Sequence, residues 1–232
     1  SISSGSSEMA SAAPDHRPEV ELSLVLPAYN EGHTIARAVR NAARVLGDLS
    51  PSYEILVVND GSIDDTRATL DALVSEVPAL RPVHLRRNAG QHMATVVGLF
   101  NARGAYVVTA DADEQVPFDH IPTIYGAIRA DPSLDIVSGA RSVRNTSLYR
   151  DAGSRFLSWI VNRTMKSNLR DPGTPFRILR ADVVRALLNA DALAQNIPIL
   201  ITYLGFRNRE IEVEAHGSAG RKSSYGPIKL IH

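Results

Sequence analysis

The chain has 232 residues, 44% apolar and 22% charged, with 25 basic and 25 acidic side chains and no cysteine. Balanced charge supplies no bulk field for nucleic acid, and the lack of cysteine excludes disulfides and thiolate metal sites and suits a cytoplasmic setting. No run of 18 apolar residues occurs, so no membrane-spanning helix is predicted, and the length suits one domain around one core.

Residues 1–18, rich in Ser, Ala and Pro, read as a flexible tail ahead of a domain spanning 19–220. An apolar run at 22–26, ended by Pro27, predicts a buried strand, and Ile35, Ala38, Val39, Ala42 and Leu46 then recur at helical spacing. A second strand is expected over 54–58, followed by the turn Asn59-Asp60-Gly61-Ser62 and a helix from Asp64 carrying Leu70, Leu73 and Val77. A third strand is placed at 83–85, with a helix packing through Met93, Val96, Val97 and Phe100. A fourth, at 105–109, runs into Asp111-Ala112-Asp113. Strands alternating with amphipathic helices imply right-handed βαβ units, hence an α/β fold with a mostly parallel, Rossmann-like sheet flanked by helices on both faces. From Arg141 to Arg180 the chain carries nine basic and two acidic residues around the apolar stretch 156–161, a pattern suited to an anionic membrane surface. Residues 221–232 are expected to lead toward a membrane region.

In such sheets ligands bind beyond the carboxyl ends of the strands, and four polar clusters fall at predicted ends: residues 29–31, 59–61, 86–88 and 111–115. Asp111 and Asp113 are placed to hold a hard cation, Mg2+ or Mn2+, with Gln115 as a neutral oxygen ligand and donor phosphates completing the shell. Asp60 reads either as an ordinary turn aspartate or as a carboxylate accepting a hydrogen bond from a nucleobase or ribose; the nearby cation loop favours the second. In the segment from Pro27 to Glu31, Tyr29 can pack on a base and Glu31 can bond a nucleoside, while Asn30 is set to cap the following helix. Asp64 and Asp65 are set to cap the helix after that. Asn88 and Gly90 precede a helix whose free N–H groups suit an anion or a sugar. Asp171 and Arg177, in a rigid Pro- and Gly-containing turn, and Arg221 with its basic neighbours suggest handling of several phosphates. The seven histidines lack metal-ligand spacing; only His92, beside the expected cleft, stands out. Gly-x-Gly-x-x-Gly, P-loop and Gly-x-Ser-x-Gly patterns are absent.

Taken in order, Leu-Pro-Ala-Tyr-Asn-Glu (26–31), Val-Asn-Asp-Gly-Ser (58–62), Arg-Asn-Ala-Gly (87–90) and Asp-Ala-Asp-Glu-Gln (111–115) resemble the family-2 inverting glycosyltransferases of GT-A fold. Asp-Pro-Gly-Thr-Pro-Phe-Arg (171–177) and Arg-Lys-Ser-Ser-Tyr (221–225) look like motifs of its polyprenyl-phosphate branch, which contains dolichol-phosphate mannose synthases and undecaprenyl-phosphate glycosyltransferases. The resemblance implies a single GT-A catalytic domain working at the cytoplasmic face of a membrane, with a nucleotide-sugar donor (UDP- or GDP-linked) and a lipid-phosphate acceptor. It implies a metal on Asp111, Asp113 and Gln115, with donor contacts from Pro27, Tyr29, Glu31, Asp60, Asn88, Gly90, Asp111, Ala112 and Arg221. Asp171 would then lie at the reacting centre and Arg177 on a phosphate. Two departures fall on the acceptor side: Thr174-Pro175 replaces the usual Ser-Gly or Gly-Asp pair, and Tyr225 follows Arg221 after only three residues. The competing expectations are a soluble family-2 transferase acting on a polysaccharide or small-molecule hydroxyl, and a nucleotide-sugar binding module without turnover.

Overall fold

A computed structural model describes residues 18–142, 171, 173–190 and 197–215. The elements run β1 (Val20–Ala28), α1 (Ile35–Leu49), β2 (Tyr53–Asn59), α2 (Thr66–Leu73), β3 (Leu80–His84), α3 (Gln91–Asn101) and β4 (Gly104–Thr109). A 3-10 turn (Phe118–His120) then leads into α4 (Ile121–Ala130), β5 (Ile136–Ser142), β6 (Arg177–Arg180), α5 (Ala181–Asn189), α6 (Ile197–Tyr203) and β7 (Asn208–Glu214). The expected tail, the apolar stretch 156–161, the motif with Arg221 and the segment 221–232 lie outside the described residues, as does most of the basic run. No helix among the described residues is long and apolar enough to cross a membrane.

The strands form one sheet in the order β3-β2-β1-β4-β6-β5-β7. β1, β2, β3 and β4 are mutually parallel, as are β5 and β7, whereas β6 runs antiparallel to both its neighbours. Successive strand residues feed opposite layers. Leu24 and Leu26 enter a core with α1, α2 and α4, while Val25 enters a second core with Leu99 of α3 and Val183, Val184 and Leu187 of α5. Burial on both faces is why the central strands are continuously apolar.

The reversed direction of β6 positions the site. Arg177, the first residue of β6, pairs with Thr109, the last of β4, and with Ser138 of β5. The residues leading into β6 therefore arrive at the same edge where β1, β2 and β4 end, and Arg141 lies three residues past that register on β5.

Two details depart from expectation. β3 starts at Leu80, earlier than the sequence pattern places it, and α2 stops before Val77. On α3 the buried residues are Ala94, Gly98 and Leu99, while Met93 and Phe100 are exposed. The cause is close approach: a Cβ on Gly98 would lie 2.2 Å from Val25 Cγ1, so α3 rests on β1 through its smallest side chains.

Away from the site, at the amino ends of the strands, Glu54 is buried and ties four strands together. Its carboxylate accepts hydrogen bonds from Ser23 Oγ (2.5 Å), Arg103 N (2.7 Å) and Arg81, and Ser23 Oγ in turn accepts from Gly104 N (2.8 Å). Burial alone would raise the Glu54 pKa, but the bonds from Ser23, Arg103 and Arg81 outweigh it and hold the carboxyl below its ordinary value of 4.5. A depressed folded pKa gives stability that is present above the unfolded pKa and lost as pH falls through the folded one. Glu54→Gln should therefore cost about 2–4 kcal/mol at neutral pH and flatten the stability loss below pH ~4.5, both read from urea titrations across pH.

Candidate functional site

At the carboxyl edge of the sheet lies a pocket of about 380 Å3, walled by Pro27 of β1, Gln91, His92 and Thr95 of α3, and Thr109 of β4. Asp111, Gln115, Arg141, Thr174 and Arg177 complete its polar lining.

The carboxylate loop follows β4 directly. Glu114 takes a left-handed backbone (φ 54°) with its N–H on Asp111 O (3.2 Å), which turns the chain tightly and leaves Asp111 and Asp113 on neighbouring positions. Gln91 Nε2 donates to Asp111 Oδ1 (2.6 Å), and Gln115 Nε2 donates to Asp113 Oδ2 (3.2 Å). Burial first, and then the charge of Asp113, push the Asp111 pKa up to about 6, with Arg141 and Gln91 opposing. Among the described residues no three His, Cys, Asp or Glu side chains are grouped so as to hold a metal ion by themselves. The donor set is thus two carboxylates and one amide, all oxygen, which fits a hard divalent cation whose remaining positions are filled by water or phosphate. Such a cation would also relieve the strain that raises Asp111.

Opposite this loop stands a pair that sequence reading did not join. Arg141 donates to Asp171 through Nε (2.8 Å) and Nη2 (3.4 Å), and Asp171 N donates to Glu210 Oε1 on β7 (2.9 Å). Arg141 also feels the charge of Asp111, so it sits electrostatically between the two carboxylate positions. Its signal was present: like the other polar clusters, it ends a strand. Gln91, at the first position of α3, carried no comparable signal. Arg177 lies behind, buried, donating to Thr174 O. Burial pulls its pKa down to about 10, against the charges of Asp171 and Glu210, and it stays cationic at neutral pH.

Asp60 is bonded from within the chain. It is fully buried, and its carboxylate accepts from Ala89 N (2.7 Å), Gly90 N (2.9 Å) and Asn88 Nδ2 (2.9 Å). The anion held by the loop before α3 is therefore Asp60 itself. The amides of Ala89 and Gly90 are taken, and Asn88 faces inward. This requires Gly61 (φ 63°), where a Cβ would lie 2.4 Å from Arg87 C.

The segment after β1 is used similarly. Asn30 does not cap α1, which begins only at Ile35; its Oδ1 accepts from Ile63 N (3.0 Å) in the neighbouring loop. Glu31 N donates to Thr66 Oγ1 (2.9 Å), and its carboxylate accepts from the Thr34 hydroxyl (2.5 Å). At α2 it is Asp64 that accepts from Thr66 N (3.0 Å), whereas Asp65 makes no side-chain cap. Tyr29 and Glu31 are half-buried outside the pocket lining, Pro27 is in it, and Ala112 is buried within the carboxylate loop. Of the expected set, then, Pro27, Asp111, Gln115 and Arg177 share the pocket. Asp113 and Asp171 join through bonds to lining residues, and Asp60, Asn88 and Gly90 form the support beneath.

Comparison with known proteins points the same way. The family model described as glycosyl transferase family 2 matches residues 23–188. An undecaprenyl-phosphate 4-deoxy-4-formamido-L-arabinose transferase of Edwardsiella ictaluri is 33% identical over 213 residues, covering 91% of this chain and 65% of the relative. Its counterpart in Klebsiella pneumoniae is 32% identical over 216 residues, covering 93% and 65%. The chain thus spans about 65% of the length of these curated relatives. Among solved structures, glucosyl-3-phosphoglycerate synthase of Mycobacterium tuberculosis superposes with a TM-score of 0.65 at 21% identity, covering 88% of this chain and 74% of that one. A mannosyltransferase of Pyrobaculum calidifontis, in complex with GDP-Man and Mn2+, gives 0.62 at 19%, covering 89% and 61%. At these identities the likeness establishes the GT-A fold.

Proposed function

The chain belongs to glycosyl transferase family 2, and from that premise we propose that it moves a sugar from a UDP- or GDP-linked donor to a polyprenyl phosphate at the cytoplasmic face of a membrane. The observation that carries this reading is the meeting, at one sheet edge, of a cation-type carboxylate pair with an Arg141–Asp171 pair backed by Arg177. The relatives named for undecaprenyl phosphate support the acceptor class.

The reaction is a single in-line displacement. An acceptor phosphate oxygen bonds to the anomeric carbon as the bond to the donor diphosphate breaks, and the electron pair leaves with the diphosphate, inverting the centre. Asp111, Asp113 and Gln115 would hold Mg2+ or Mn2+, which when bound supplies neutralising charge to the leaving diphosphate. Arg141 and Arg177 would receive the acceptor phosphate, since a guanidinium matches phosphate oxygens with paired donors. A phosphate nucleophile is already anionic near neutral pH, so no strong base is needed. Asp171 then fixes the guanidinium of Arg141 in place.

That division of labour is measurable. Asp171→Asn should lower transfer to undecaprenyl phosphate about 10-fold. With a sugar hydroxyl as acceptor, where a true base is required, the loss should reach about 100-fold or more. The proposal itself is tested by incubating the protein with UDP- and GDP-sugars, Mg2+ or Mn2+, and undecaprenyl phosphate, and resolving labelled lipid by chromatography. Product only on a soluble hydroxyl acceptor would move the reading to a polysaccharide- or metabolite-modifying transferase. Binding without product on any acceptor would reduce it to a nucleotide-sugar binding module.

A further inference from the structure

Among the described residues, one buried side-chain nitrogen or oxygen has no hydrogen-bond partner: Nε2 of His92. It belongs to a residue that lines the pocket. The polar side chains around it are engaged within the protein. Gln91 donates to Asp111, Thr95 Oγ1 donates to Gln91 O (2.9 Å), Thr109 Oγ1 donates to Pro175 O (2.6 Å), and Arg141 is bonded to Asp171. A buried polar atom left unpaired is costly, and native structures keep few of them without a use.

His92, Thr95 and Leu99 stand at i, i+3 and i+7, so one face of α3 forms this wall of the pocket, running from the carboxylate loop toward Leu179 and Ile197. The wall beyond Asp111 is neutral and half apolar. A diphosphate is matched by the cation loop and by arginine, not by such a surface. A sugar ring is matched by it, because it carries C–H faces and hydroxyls together. A hydroxyl both donates and accepts, so it satisfies Nε2 in either imidazole tautomer. Resting on the nucleotide-sugar reading above, we propose that His92 is a specificity-determining residue whose Nε2 hydrogen-bonds a ring hydroxyl of the donor sugar.

The test separates sugar from nucleotide. UDP-glucose, UDP-galactose, UDP-xylose and GDP-mannose are screened with Mn2+, by turnover and by thermal shift; the best donor is then compared with its monodeoxy analogues on the native protein and on His92→Phe and His92→Gln. Native protein should favour the parent sugar over one deoxy analogue by about 10-fold or more in kcat/KM. His92→Phe should lose that preference while its thermal shift with the free nucleoside diphosphate and Mn2+ stays unchanged. His92→Gln, which returns a nitrogen near the Nε2 position, should restore part of it. Equal loss of free nucleotide binding in His92→Phe overturns the assignment, as does a native protein that discriminates against none of the deoxy analogues. That last measurement decides the matter even where a variant fails to fold. Absence of any shift by nucleotides or nucleotide sugars on the native protein would instead sink the underlying donor reading.

Discussion

Asp111→Asn should abolish sugar transfer, by about 1,000-fold or more, and yet raise the melting temperature of the metal-free protein at pH 7.5. The reasoning runs through burial. The side chain is held at a pKa of about 6 against an ordinary 3.8, first by loss of water and then by the charge of Asp113. A carboxyl raised on folding contributes stability that is complete below its unfolded pKa and disappears as pH rises through the folded one. At pH 7.5 the native protein therefore carries a penalty on the order of 3 kcal/mol, which an amide of the same shape removes. Gln91 can still donate to the remaining carbonyl oxygen. The gain should be about 1–3 kcal/mol, or several degrees, vanishing near pH 4. Added Mn2+ should stabilise the native protein and leave Asp111→Asn unmoved, by linkage. Scanning fluorimetry across pH, with and without Mn2+, checks both halves. A metal-free variant less stable than the native protein at pH 7.5 would mean that neighbouring charges offset the buried carboxylate and that it carries no penalty.

Asp60→Ala should destabilise the protein by about 3–5 kcal/mol and lower transfer with it, although Asp60 is absent from the pocket lining. Removal of the carboxylate leaves the N–H groups of Ala89 and Gly90 and the amide of Asn88, all in part-buried bonds, without their shared acceptor, each costing about 1–2 kcal/mol. Asn88 also donates to Asp60 O (3.3 Å), which survives the change and keeps the loss below the full sum. Hydrogen exchange at Ala89 and Gly90 should accelerate ahead of the rest of the chain, because the loop opens before the sheet does. Uniform acceleration across the sheet would show that Asp60 supports the global core instead.

How much of this was legible beforehand depends on what kind of contact each residue makes. The strands β1, β2 and β4 were readable because a central strand buried on both faces has to be apolar throughout. The carboxylate loop was readable as a candidate cation site because its two acids directly follow such a strand and lie beside three other polar strand ends. The packing face of α3 was misread because Ala94 and Gly98 contribute closeness, and a hydrophobicity pattern weighs Met93 and Phe100 above them. The inward bonds of Asp60 were not legible because an aspartate-glycine turn gives no hint of donors 28 to 30 residues away. The Arg141–Asp171 pair depends on the reversed direction of β6, a property of topology that four residues of strand sequence do not announce. Asp171 and Arg177, singled out by charge and turn composition, both come to this edge.

The inward use of Asp60 bears on the order in which the complex assembles. With the amides of Ala89 and Gly90 already closed by an internal carboxylate, a diphosphate entering on the proposed reading would meet Asp111 and Asp113 at the neighbouring loop. On that reading a bare nucleotide would be repelled by the two carboxylates, and a chelated one admitted. The entering species would then be the cation–nucleotide complex, or the nucleotide would follow a cation already seated. Retention of donor and release of the spent diphosphate would then both be set by the occupancy of that cation, so chelator should hasten product departure as surely as it blocks the next arrival.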